Sequence, residues 1–101
     1  MEELKKIAED IWDELEGAKH YARLAMEHKG VDNAMSTTYA EMAKQELGHV
    51  DNLHRMAEHL IANHKRENPE HGKLLEMVWG WEKDKMQGKS AKIRTMIEMS
   101  R

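Results

Sequence analysis

The single proline of this 101-residue chain stands at position 69, which leaves everything before it free of the residue that most reliably ends a helix. Two long stretches fill that space, one from about Glu3 to Lys29 and one from about Asp32 to Glu67, and both repeat apolar residues every three or four positions. The second, at roughly 36 residues, would reach about 50 Å as a helix. Between them Gly30 suits the left-handed position just past a helix end, and Asp32 is a capping residue for the next. Two such helices bury their apolar stripes by folding back on each other, so the spacing predicts an antiparallel helical hairpin over about 3–67.

The break at "RENPEH" offers Asn68 as a cap and Pro69 as the first residue of a third helix. Leu75, Val78, Trp79 and Met86 share its apolar stripe, with Glu82 among them. Gly88 allows a bend, and "SAKIRTMIEM" predicts a short final helix from Ser90 with Ile93, Met96 and Ile97 on one side. The expected fold is all-α: one domain, 1–101, with accessory C-terminal helices over about 69–99. No strand pattern, repeat or low-complexity tract competes with it.

Composition narrows the function. The chain has no cysteine, which excludes disulfides, thiolate metal sites and cysteine nucleophiles. Its net charge of −3, with acids and bases interspersed, provides no basic face for nucleic acid. No apolar run approaches the roughly 20 residues of a membrane span, and "MEELKKIAED" lacks the apolar core of a secretory signal, so no membrane partner and a cytoplasmic location are expected. A chain this short buries a modest core, which favours oligomerisation.

The chemistry lies in the helix stripes. In the first helix Leu4, Ile7, Ile11, Ala18, Tyr21 and Ala25 keep a helical register, and Glu14 fills the gap between Ile11 and Ala18. In the second the stripe reads Met35, Tyr39, Met42, Glu46, His49, Leu53, Met56 and Leu60, so Glu46 and His49 stand where apolar residues flank them. Residues three apart share a helix face, as two ligands of one cation would. Glu14 and Glu46 lie about equally far from the loop, so a hairpin sets them at matching heights. A carboxylate in such a stripe costs desolvation energy unless something pairs with it.

Glu14 with Tyr21 seven positions on, followed by Glu46-x-x-His49 on the next helix, resembles one half of the ferritin-like di-iron carboxylate proteins, rubrerythrins and bacterial ferritin relatives included. The resemblance covers about residues 7–60. It implies Glu14 as a terminal iron ligand, Glu46 as a bridge between two irons, His49 as a nitrogen ligand and Tyr21 packed beside them, all four belonging to the catalytic centre. A complete bundle of that kind needs a second Glu and a second Glu-x-x-His, and this sequence has no second Glu-x-x-His. The expected repair is a homodimer, or a higher homo-oligomer such as a ring, in which two hairpins form a four-helix bundle and share a di-iron site. Encapsulated ferritin-like proteins are similar in being short helical chains with a shared site, although "TMIEMSR" does not resemble their cargo peptides. The implied activity is a ferroxidase-type oxidation of Fe(II) by O2 or peroxide, for iron storage or detoxification, with manganese or zinc as substitute metals.

Blander readings stand beside this one. Glu14, Glu46 and His49 can form a metal-free polar layer that sets helix register in a structural or interaction protein; storage or delivery of metal without turnover is a further alternative. His49, His54, His59 and His64 recur every five residues, a step of about 140° that scatters them round the helix. Of these only His49 lies in the stripe, whereas His54, His59 and His20 are expected in solvent or at subunit contacts, and His64 at the end of the stripe. Glu82 reads first as a partner of Lys85 or Lys89. Trp12, Trp79 and Trp81 read as packing anchors, the nine methionines as adaptable filler, and Gly17 and Gly48 as points of close approach near the site.

Overall fold

The computed structural model describes residues 2–101, almost all of them in three helices: α1 (Glu2–His28), α2 (Asn33–Glu67) and α3 (Pro69–Met99). The punctuation acts as its chemistry dictates. Gly30 takes φ +80°, the one positive φ among the described residues, and Asp32 caps α2 by accepting from the Met35 amide at 3.1 Å. Asn68 closes α2 and caps α3 through the His71 amide, with Pro69 in the first turn.

The helices run up, down and up in a rod of 55 × 17 × 15 Å. Ser36 Oγ donates to the Ala25 carbonyl at 2.7 Å across the α1–α2 turn, fixing those two helices as an antiparallel pair. α3 lies along one flank of that pair, parallel to α1. Trp12 donates to Glu82 at 2.7 Å, Lys89 pairs with Glu16, and Lys29 reaches the Met99 carbonyl at 2.9 Å. Lys83–Glu58 at 2.5 Å and Lys65–Glu76 at 2.6 Å tie α3 to α2. No helix among the described residues is long and apolar enough to cross a membrane.

The expected bend at Gly88 does not occur, and the two short C-terminal helices are one 31-residue helix. Met86 on one side of Gly88 and Ile93 on the other are both buried against the hairpin, and continuous packing offsets the cost of a glycine within a helix. The stripe of α2 is also displaced by one position. Its buried residues are Ser36, Ala40, Ala43, Leu47, Val50, Ala57 and Ile61, and α1 answers with Ile11, Leu15, Ala18, Ala22 and Ala25. The closest approach of the two helices thus takes small side chains, because alanine lets backbones come near. The larger Met35, Tyr39, Met42, Leu53, Met56 and Leu60 are left on the flank opposite α3, where Met35 and Met56 remain exposed.

The tryptophans divide. Trp12 and Trp79 anchor α3 to the hairpin, but Trp81 is 62% exposed and joins Leu74, Met77 and Val78 on the outer face of α3. His54 is not in solvent: it is half-buried, edge-on to Trp79 with ring centroids 5.9 Å apart. Burial first, and the nearby Lys83 ammonium second, pull its pKa below the usual histidine value of 6.5. The unfolded chain therefore binds the His54 proton more readily, so stability contributed by neutral His54 is present above pH 6.5 and is lost as pH falls through the lower folded value. The urea midpoint of the metal-free protein is expected to drop between pH 7.5 and 5.5, and His54→Leu to flatten that drop; an unchanged slope in the variant would assign the acid sensitivity elsewhere.

Candidate metal centre

Glu14 projects from the middle of α1 and Glu46 and His49 from the middle of α2, all three on the flank that α3 leaves open. Each offers a ligand atom, and the three atoms lie within 4.8 Å of one another. His49 Nδ1 is 3.4 Å from Glu14 Oε2 and 4.0 Å from Glu46 Oε1. The i, i+3 spacing brings Glu46 and His49 together within α2, and the hairpin register brings Glu14 to them across the helix pair.

Two carboxylates share this space. The Glu46 carboxyl is raised above its ordinary value, chiefly because it shares a hydrogen bond with the Glu14 carboxyl, then because of burial and the Glu14 charge; His49 partly opposes the shift. Such a pair is stabilised by a proton or by a cation, and a divalent ion with two oxygen donors and one imidazole satisfies both charges. The donor set fits iron, manganese or zinc. One chain still leaves the site open to water, with side-chain exposures of 55% for His49, 30% for Glu14 and 26% for Glu46.

Gly17 shapes the floor. A Cβ built there would stand 3.2 Å from Glu46 Oε2, so the missing side chain is what lets that carboxylate lie against α1. Gly17→Ala is expected to leave the metal-free fold about as stable, within roughly 1 kcal/mol, because better helix propensity offsets the tight contact. It should nevertheless weaken divalent-metal binding by displacing Oε2. Calorimetric titration alongside a urea curve checks both halves, and unchanged metal affinity would discard the role of Gly17. Gly48, expected to act similarly, faces open space.

Tyr21 occupies the same flank but stacks on Tyr39, with ring centroids 6.2 Å apart and planes 18° apart, and His20 packs at its edge. It also packs against the hairpin core, and no hydrogen bond joins it to Glu14 among the described residues. Glu82 is on the other flank, held by Trp12, and neither pairs with Lys89 nor approaches the three ligands. Its contact with Lys85, at 3.9 Å and exposed, is weak. Glu16 pairs with Lys89, whose hydrogen bond and charge lower its pKa. Comparison with protein-family models, with curated proteins and with solved structures finds no match.

Proposed function

We propose that two copies of this chain pack through the flank opposite α3, forming a ferritin-like four-helix bundle from two α1–α2 hairpins, and that Glu14, Glu46 and His49 of both subunits hold a pair of iron ions. The observation that carries this reading is the composition of that flank. Met35, Tyr39, Met42, Leu53, Met56 and Leu60 form a nearly continuous apolar stripe along α2, interrupted in its middle by Glu46 and His49 with Glu14 beside them. An apolar stripe exposed along a helix pair calls for a partner. A half-set of ligands in the centre of that stripe calls for the same set facing it, which a twofold axis supplies.

Four carboxylates and two imidazoles would thereby surround the metals, with the apolar residues above and below excluding water. Bound iron would supply electrons for the reduction of O2 or peroxide, giving Fe(II) oxidation as the reaction and iron as substrate. The residues of this chain neutralise the metal charge, with Glu14 and Glu46 as oxygen donors and His49 as the nitrogen donor. Tyr21, stacked on Tyr39, would close the loop-side end of the site. The outer patch of Leu74, Met77, Val78 and Trp81 gives a second surface through which dimers could assemble further.

Iron analysis of protein purified from iron-replete medium tests the proposal: about one iron per chain is expected from two metals shared by two chains, and less than about a tenth of that would sink it. Light scattering should give twice the 11.8 kDa chain mass, and a stable iron-bearing monomer would refute the shared site. A metal-free interaction protein is the competing reading, favoured by the His49–Glu14 contact, which pairs the group without an ion. It expects the dimer with no iron.

A further inference from the structure

At the far end of the rod from the α1–α2 turn, His64 in the last turn of α2 faces His71 in the first turn of α3 across the Asn68 junction. His64 Nε2 and His71 Nδ1 are 2.5 Å apart, with ring planes at 71°. At that distance one imidazole N–H donates to the lone pair of the other, so the two rings turn a nitrogen each toward the same point. The arrangement is built into the backbone. The next residue along each helix, Lys65 and Gly72, forms a close approach of α2 to α3, where a Cβ on Gly72 would stand 2.4 Å from Lys65 Cα. That contact fixes the relative height of the two turns and so aims both rings at one point.

We propose that His64 and His71 form a second metal site, independent of the Glu14–Glu46–His49 centre, that takes an imidazole-preferring divalent transition cation such as Zn(II) and clips α2 to α3. Two neutral imidazole donors select zinc, copper or nickel over magnesium or calcium, which favour oxygen. A tetrahedral zinc with bonds near 2.0–2.1 Å holds two nitrogens roughly 3.4 Å apart, so the rings separate by about 1 Å on binding. His71 is exposed and His64 half-buried, so the His71 ring can make that adjustment, and solvent completes the coordination. Lys65 does not compete for the space, since its ammonium pairs with Glu76 at 2.6 Å. The nearby His59 is turned toward Asn63, at 3.1 Å, and stays outside the pair.

The site is tested by calorimetric titration of Zn(II) into metal-free protein carrying Glu46→Ala, which disables the carboxylate centre and separates the two proposals. About one zinc per chain is expected, with Mg(II) giving no heat of binding. Adding His71→Ala should weaken zinc affinity at least about tenfold, and adding His59→Ala should leave it unchanged. Zinc binding indifferent to His71→Ala, or no zinc binding at all, overturns the proposal. A second readout uses the otherwise unaltered chain. Zinc should raise its melting temperature by binding the folded state, and the part of that rise due to the α2–α3 clip should vanish in both His64→Ala and His71→Ala; an undiminished rise in both variants would equally refute the site.

Discussion

Glu46→Ala is expected to abolish iron-dependent oxygen consumption, lowering its rate at least about a hundredfold, while leaving the metal-free protein as stable as the parent. Both halves follow from one fact. The Glu46 carboxyl is held above its ordinary pKa because the Glu14 carboxyl lies against it, so its charged form is penalised in the metal-free protein. Removing it therefore removes a repulsion and creates no orphaned partner, since Glu14 keeps its contact with His49 at 3.4 Å. In the proposed shared centre the metals would lose one carboxylate donor from each subunit, and replacing even a residue that only supports a ligand costs about 10–100-fold. Oxygen-electrode traces at fixed Fe(II), paired with urea curves on metal-free protein, measure the two effects. Consumption at the parent rate would remove Glu46 from the mechanism, and a large loss of stability would identify the trio as a register-setting polar layer instead.

Gly72→Ala should be the most damaging glycine-to-alanine change within the three helices. Alanine normally improves a helix by about 0.5–1 kcal/mol relative to glycine. At position 72 the added Cβ would stand 2.4 Å from Lys65 Cα and 2.5 Å from Lys65 Cβ, contacts that only a backbone movement can relieve. Overpacking of that kind costs about 1–3 kcal/mol and would force α3 away from the end of α2. The same change at Gly88, which faces open space in the same helix, supplies the control and should stabilise by about 0.5–1 kcal/mol. Urea midpoints of opposite sign for the two variants are expected; Gly72→Ala as stable as Gly88→Ala would show that the α2–α3 junction yields easily. Because Lys65 and Gly72 are next to His64 and His71, Gly72→Ala should also disturb the histidine pair.

Much of the fold is legible in the sequence. Proline and glycine placement located both helix junctions, and the caps at Asp32 and Asn68 followed from side chains that accept from a first-turn amide. The i, i+3 spacing put Glu46 and His49 together, and the matched distances from the loop brought Glu14 to them. Side-chain size was a poor guide to which stripe of α2 is buried. The seam between α1 and α2 takes not Met35, Tyr39, Met42 and their successors but the stripe one position along, rich in alanines that let the backbones approach. Gly88 misled for a related reason: local propensity favours a break, but packing on both sides of it outweighs one glycine.

The sequence by itself determined where the helices begin and end in the hairpin, and that Glu14, Glu46 and His49 come together, because caps, breakers and helical spacing act over a few residues. Only the tertiary structure decided that α3 is one helix, that it covers the flank away from Glu14, and that Met35, Tyr39, Met42, Leu53, Met56 and Leu60 of α2 lie at or beyond the edge of the hairpin core. Those outcomes depend on which of two stripes, adjacent on α2, buries better against helices distant in sequence. No local spacing records that competition, and its result leaves Glu46 and His49 on an open face.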